Sequence, residues 1–363
     1  MSTPRAPIPA SNDAHEESPF LAACRSLPHG RIPVWFMRQA GRSLPEYRRI
    51  RGEGSILEAI AQPDLATEIT LQPVRRYGTD AAILYSDIMT PVHAVGFGVE
   101  IEPGVGPVIE SPFRSSSDLD RLRPLEPDVD TPYVVETVAN LVDELNVPLI
   151  GFAGAPYTVA SYLVEGRPSR TYTRVKSLML DDEPLWHALL ERLSDLAIVS
   201  LRSQVSNGAA AVQLFDSWAG SLSPTHYTRY VRPHSERILE AVAEMGVPSI
   251  HFGVNTAELL DQIGQAGADV VGVDWRTPLD RARARVPARC ALQGNLDPAV
   301  VVAGWGATRT AATEVLAANA GHPGHIFNLG HGVLPETDPA VLTMLVEWLH
   351  EQRVDEAPTA ASS

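Results

Sequence analysis

The sequence predicts an α/β fold, a single (β/α)8 TIM-type barrel with its active site at the C-terminal ends of the strands. Short apolar runs alternate with longer segments of helical periodicity along the 363 residues, which is typical of a parallel sheet covered by helices. Eight such strand–helix units fit a closed barrel. A doubly wound open sheet is the alternative. No GxGxxG motif follows the first predicted strand, which disfavours the dinucleotide-binding version of that fold.

Eight strands are predicted where short apolar runs end in polar or glycine-rich residues: Val34–Met37, Ala81–Tyr85, Pro148–Phe152, Ala211–Phe215, Ser249–Phe252, Val270–Val273, Ala291–Leu292 and Ile326–Asn328. Apolar residues at helical spacing predict helices at Leu185–Val205, Glu236–Met245, Thr256–Gln265, Ala307–Ala318 and Ala340–His350. The predicted N-caps are Thr256, Asp297 and Asp338, with Pro298 and Pro339 at the first helical position. The glycine-rich stretch 97–112 predicts a β-hairpin.

The predicted barrel domain spans residues 19–352, and the flanking segments 1–18 and 353–363 are expected to be disordered. The formal net charge of −15 argues against a nucleic-acid-binding protein, because such proteins carry basic surfaces. No apolar run is long enough for a transmembrane helix, and the N-terminus has no apolar signal-peptide core. The two cysteines, Cys24 and Cys290, fit a reducing cytoplasm and rule out a cysteine-rich metal site.

Arginines are concentrated directly after the first predicted strand. Arg38, Gln39, Ala40, Gly41 and Arg42 follow it, and further arginines include Arg51. Arginine presents a planar donor fork that suits carboxylates, so a cationic strand end in an acidic protein predicts a pocket for an anionic small molecule. Lys176 is the only lysine among 29 basic residues. A Schiff-base mechanism would have to use it, although it follows no predicted strand.

Other polar residues follow later strands, and in a barrel these strand ends meet at one face. Asp87 follows the second predicted strand, Tyr162 the third, Ser217 the fourth and His331 the last. Structural roles are the alternatives: Asp87 could cap a helix, although Pro91 makes an immediate helix awkward, and His331 could be a core residue. No HxxxH or CxxC spacing occurs, so no metal site is predicted.

Seven motifs occur in order along the chain: MRQAGRSLPEYR, FAGAPYTVASYLVEG, LFDSWAG, HFGVNT, VDWRTPL, LQGNLDP and NLGHGVLPETDP. Over nearly the whole chain they resemble the uroporphyrinogen decarboxylase family. The resemblance implies a distorted barrel and a cytosolic homodimer that needs no cofactor or metal. It also implies a reaction on the route to haem, in which the four acetate side chains of uroporphyrinogen III become methyl groups, giving coproporphyrinogen III and carbon dioxide.

The resemblance further implies a substrate pocket with Asp87 at the centre of the macrocycle, accepting from the pyrrole N–H groups. The implied pocket residues are Arg38, Gln39, Ala40, Gly41, Arg42, Asp87, Tyr162, Ser217 and His331, with Arg51 and Phe215 as further candidates. Loss of carbon dioxide from an acetate requires an electron sink, and a pyrrole protonated at a ring carbon can provide its own. Asp87 would stabilise that cation. The proton donor stays open among Arg38, Tyr162 and His331.

Two other functions are weaker alternatives. A zinc-dependent methyltransferase of the same fold would carry thiolate ligands near the fifth strand and in the late glycine motif, where this chain has His251-Phe252-Gly253 and His331. A non-catalytic tetrapyrrole carrier would use the same arginines but would not need Asp87.

Overall fold

The chain folds as a distorted (β/α)8 barrel in a computed structural model, which describes residues 18–102 and 104–352. The strands within those ranges are β1 Ala82–Ile83, β2 Val99–Glu102, β3 Gly106–Ile109, β4 Leu149–Gly154, β5 Ala211–Asp216, β6 Ser249–Gly253, β7 Val270–Gly272, β8 Ala291–Gln293 and β9 His325–Ile326. The parallel sheet has the order β1-β4-β5-β6-β7-β8-β9, and β2 and β3 form a separate antiparallel hairpin. The barrel prediction and the hairpin prediction are both confirmed.

The segment Pro33–Met37 closes the ring of strands. The Trp35 N–H donates to the Phe327 carbonyl (3.3 Å), and the Asp80 N–H donates to the Val34 carbonyl (2.8 Å). The prediction of a full strand here is wrong in extent, since only Val34 forms a β-bridge, to Phe327. The ladder stops because the next backbone donors turn to side chains: Phe36 N–H to Gln39 and Met37 N–H to Asn328.

Helices surround the sheet, and many begin at a proline, whose fixed φ and missing N–H suit the first helical position. They are α1 Pro19–Cys24, α2 Pro45–Arg51, α3 Ile56–Ile60, α4 Pro63–Tyr77, α5 Thr90–Ala94, α6 Pro127–Asp130, α7 Pro132–Glu144, α8 Pro156–Glu165, α9 Thr173–Asp181, α10 Glu183–Ser206, α11 Pro224–Tyr230, α12 Arg232–Glu244, α13 Leu260–Gln265, α14 Leu279–Arg283, α15 Pro298–Val302, α16 Trp305–Asn319 and α17 Pro339–Glu351. The five predicted helices correspond to α10, α12, α13, α16 and α17.

The two faces of each strand bury different sets of apolar residues, as strand alternation requires. On β5, Ala211 and Phe215 belong to the barrel interior, whereas Val212 and Leu214 pack outward with residues of α10 and α12. Polar residues also fill the interior: Trp35 Nε1 donates to Gln293 (3.0 Å), and Gln293 Nε2 donates to Gln213 (2.9 Å). The interior of the barrel is therefore packed with side chains.

All three predicted N-cap residues precede a helix or 3₁₀ turn, but only two of them cap it with a side-chain hydrogen bond. Asp297 and Asp338 accept hydrogen bonds from the backbone N–H groups of Ala299 and Ala340. The Thr256 side chain caps no helix N–H; its hydroxyl points back to the Gly253 carbonyl, and a 3₁₀ turn at Ala257–Leu259 precedes α13.

The predicted disordered segments 1–18 and 353–363 lie outside the described residues, except for Ser18, which directly precedes α1.

Candidate active site

The first and last motifs meet at the barrel mouth through Arg38 and Gly332. Arg38 is a non-glycine residue with a left-handed backbone (φ 58°) in the turn after Met37. The Arg38 stem lies directly over Gly332, where an added Cβ would be 2.5 Å from the Arg38 Cδ. The Val333 N–H also donates to the Met37 carbonyl (2.8 Å). The glycine after His331 therefore makes room for the Arg38 side chain.

Asp87 lies just beyond β1 and is half-buried. Its Oδ1 accepts a hydrogen bond from the Met89 N–H (2.8 Å), and α5 begins only three residues later, at Thr90. Pro91 lies in the first turn of this helix, where proline is tolerated, so it does not disfavour the helix. The N-cap residue is Met89 and not Asp87. Burial raises the pKa of Asp87, and the Met89 N–H and the positive charge of Arg38 act against that rise.

Tyr162 on α8 is a third member of this group. Burial raises the pKa of its hydroxyl well above the usual range, the negative charge of Asp87 raises it further, and Arg38 opposes the shift. The Tyr162 ring packs against Trp218 with centroids 4.0 Å apart, and Trp218 meets Tyr172 edge-on at 5.2 Å. These three aromatic rings form a wall beside Asp87.

His331 is held as a neutral imidazole. Its Nδ1 accepts the Gly332 N–H (2.7 Å), so the neutral ring carries its proton on Nε2. Burial lowers its pKa to about 4, and the positive charges of Arg38 and Arg276 lower it while Asp274 opposes them. Near neutral pH His331 is therefore an N–H donor and not a cation.

The other residues of the arginine motif have distinct positions. Gln39 is fully buried; its Oε1 accepts from the Phe36 N–H and its Nε2 donates to the Ala81 carbonyl, so its side chain holds the turn. Gly41 lies close to the Arg38 carbonyl, which an added Cβ would meet at 3.0 Å. Ala40 is half-buried and Arg42 is exposed. Contact of these four residues with a substrate stays a prediction.

Phe215 and Ser217 lie at the end of β5, whereas Arg51 lies on α2, near Tyr85 at the end of the second predicted strand. Phe215 packs edge-on against Phe152 and Phe252, with centroids 5.4 and 6.1 Å apart, at the upper end of the barrel interior. Ser217 is half-buried in the loop that carries Trp218. Arg51 ends α2 and donates to the Gly54 carbonyl (2.9 Å). None of the described contacts of Arg51 joins it to Arg38 or Asp87.

The structure adds Arg276 to the predicted residues. It follows β7, stacks 3.9 Å above the Trp275 ring and donates to Asp274 Oδ2 (3.0 Å). Trp275 in turn faces His331, with ring centroids 6.5 Å apart. The VDWRTPL motif contained the signal, an arginine two residues after a strand-end aspartate, but only the fold shows that it lies near His331.

Within residues 18–102 and 104–352, no group of three or more His, Cys, Asp or Glu side chains is arranged to hold a metal ion. Both cysteines are buried and unpaired with each other, and burial raises the pKa of each thiol. The same ranges contain no helix with the length and hydrophobicity needed to cross a membrane.

Comparison with known proteins agrees with this geometry. The family model described as uroporphyrinogen decarboxylase matches residues 15–352. The chain belongs to the uroporphyrinogen decarboxylase family.

Curated relatives match along almost their whole length. The uroporphyrinogen decarboxylase of Salinispora tropica is 58% identical over 336 residues, covering 92% of this chain and 90% of the relative. That of Streptomyces coelicolor is 56% identical, covering 97% and 99%. Among solved structures, a methyltransferase from Methanosarcina mazei superimposes with a TM-score of 0.74 at 18% identity, covering 92% of this chain and 98% of that one. That likeness concerns the fold alone.

Proposed function

We propose that this chain decarboxylates the four acetate side chains of uroporphyrinogen III, giving coproporphyrinogen III and carbon dioxide in haem biosynthesis. The observation that carries the proposal is the placement of Asp87 beside Arg38 and Tyr162 at the mouth of a barrel of this family. A carrier protein would need the cations, but it would gain nothing from a half-buried carboxylate, whose desolvation is unfavourable.

The cations and donors of the mouth suit a substrate with eight carboxylates. The positive charges of Arg38 and Arg276 both lower the pKa of His331, so both guanidinium groups lie near this side chain. Each guanidinium can donate to a carboxylate through a planar fork. His331 contributes a neutral Nε2–H donor. The excess of donors explains how an acidic protein binds a polyanion.

Asp87 supplies the complementary negative charge. Because burial raises its pKa, the ionised form is unfavourable in the free protein. Pyrrole N–H donors would favour the ionised form by hydrogen bonding to it, and the cation formed by protonating a pyrrole carbon would favour it more strongly by its positive charge. Asp87 thereby favours the cationic intermediate over the neutral substrate, which is the differential stabilisation that accelerates a reaction.

The pKa shifts also restrict proton delivery. His331, with a pKa of about 4, is mostly neutral near pH 7, and Tyr162, with a raised pKa, holds its proton tightly. Because neither side chain readily gives up a proton in these states, we assign both to substrate binding. Carboxylates of the bound substrate would raise the His331 pKa again, because negative charge favours the imidazolium.

Three further properties belong to this proposal. The enzyme needs no added cofactor or metal, because the protonated pyrrole accepts the electrons of the breaking bond. It acts in the cytoplasm, and it acts as a homodimer.

The test is anaerobic incubation of the purified protein with uroporphyrinogen III, followed by chromatography of the oxidised porphyrins. We expect products with seven, six, five and four carboxylates, and undiminished activity after dialysis against a chelator. Unchanged eight-carboxylate material would refute the proposal. Asp87→Ala is the matched variant and should give no product while remaining folded.

A further inference from the structure

The only lysine of the chain holds the loop that carries Ser217 and Trp218. Lys176 lies on α9, half-buried, and its Nζ donates to the Ser221 carbonyl at 2.6 Å. The ammonium also lies 5.9 Å from the centroid of the Tyr172 ring. The other 28 of the 29 basic residues are arginine. A single lysine in such a composition, bonded to a half-buried carbonyl, indicates a position where arginine does not serve equally well.

The loop at 217–222 has further anchors, two of which come from α8, while the Asn255 amide donates to the Gly220 carbonyl (3.5 Å). The Trp218 N–H donates to the Thr158 hydroxyl (3.2 Å), which donates to Asp216 Oδ1 (2.8 Å). The hydroxyls of Tyr157 and Ser221 share a hydrogen bond of 2.7 Å. Together with Lys176, these contacts hold the loop at its beginning and at its end.

The loop also packs closely against the chain after β6, at Gly220. A Cβ at Gly220 would lie 2.3 Å from the Val254 carbonyl oxygen, so the loop lies directly on the chain after β6. Lys176 bonds to the end of the same loop from α9. The wall is tightly built, with Trp218 and Tyr162 centroids 4.0 Å apart.

We propose that Lys176 is a positioning residue for the substrate site: it fixes the loop so that Trp218 packs on Tyr162 and Ser217 faces the mouth. The proposal rests on the proposed function of that mouth. Lysine suits the position because its compact ammonium can point a donor at one carbonyl, whereas a planar guanidinium fork needs space for several donors.

Lys176→Met keeps most of the apolar stem and removes the charged donor. We expect kcat/KM to fall about 10-fold or more, since misplacing a site residue by about 1 Å can decrease activity up to ~100-fold. Arg174→Gln is the matched control, because Arg174 is an exposed cation on the same helix. It should leave kcat and KM unchanged.

Two measurements separate positioning from general stability. Amide hydrogen exchange of the peptide spanning 216–223 should become faster in Lys176→Met, with unchanged protection in α10 and the strands. In a double-mutant cycle, the effects of Lys176→Met and Ser217→Ala on kcat/KM should be less than additive, because both act through one loop.

Wild-type exchange in the loop, or kinetic effects that add, would overturn the proposal. So would an equal loss in Arg174→Gln. Hydrogen exchange does not depend on turnover, so absence of decarboxylation in the wild type would refute the proposed function while leaving the loop contact testable.

Discussion

Gly332→Ala is expected to disable the site by displacing Arg38 while the fold persists. An added Cβ would lie 2.5 Å from Cδ, 2.7 Å from Cγ and 3.1 Å from Cβ of Arg38. Carbon atoms in contact prefer about 3.5–4.0 Å, so the Arg38 stem must move by about 1 Å. A shift of that size can decrease kcat/KM up to ~100-fold, or about 2.7 kcal/mol of transition-state stabilisation.

The stability change should be smaller than the activity change. The φ of Gly332 is not in the left-handed region, so alanine is compatible with the backbone. Crowding typically costs about 1–3 kcal/mol, and the lower entropy of the unfolded chain returns about 0.4–1 kcal/mol. Thermal unfolding and steady-state kinetics on the same preparation would separate the two effects.

Gly306→Ala provides the control. Gly306 lies in α16 with no atom within 4 Å of a built Cβ, so alanine should leave activity unchanged and stabilise the helix by up to about 1 kcal/mol. Wild-type kcat/KM in Gly332→Ala would refute the steric reasoning. The reasoning would also be refuted if Gly332→Ala decreased kcat/KM by the same factor in an Arg38→Ala background. The glycine would then act independently of Arg38.

The remaining predictions concern the charges of the mouth. Asp87→Asn should abolish turnover yet raise the unfolding temperature near pH 7, because a carboxyl whose pKa is raised on folding destabilises the fold when ionised. This gain in stability should vanish below about pH 4, where the carboxyl is protonated in both the folded and the unfolded state. A lower unfolding temperature of the variant at pH 7 would contradict the prediction. Arg38→Gln should raise the Asp87 pKa further, whereas Arg38→Lys should leave it nearly unchanged, as measured by carbon NMR titration of the labelled carboxyl. Arg276→Gln should increase KM about 5-fold with little change in kcat, and it should raise the His331 pKa above about 4; the exposed Arg281, changed to Gln, should do neither.

Much of the architecture could be predicted from the sequence because it depends on local patterns. All eight predicted apolar runs lie at or next to strands or bridges of the barrel. Proline and aspartate at 297–298 and 338–339 correctly mark helix starts. The first run was predicted as too long a strand. Nothing local shows that the Phe36 N–H donates to Gln39 in the following turn, or that the Met37 N–H donates to the distant Asn328.

The site was only partly predictable for the same reason. Residue type and position after a strand predicted Asp87, Tyr162 and His331 as neighbours, because barrel strands end on one face. Position could not show that the Gln39 side chain bonds to the backbone of Phe36 and Ala81, or that Arg51 donates to the Gly54 carbonyl. These outcomes depend on where each side chain points. Substrate contact of both residues stays a prediction.

The sequence by itself determined the barrel, the family and the cationic motif, since periodicity, turn residues and long motifs are properties of neighbouring positions in the chain. Only the tertiary structure decided the electrostatics of the mouth. Burial raises the pKa of Asp87 against the charge of Arg38, and burial together with the charges of Arg38 and Arg276 keeps His331 neutral, although these residues lie far apart in the chain. Desolvation and Coulomb interactions depend on distance in space, and the fold creates those distances.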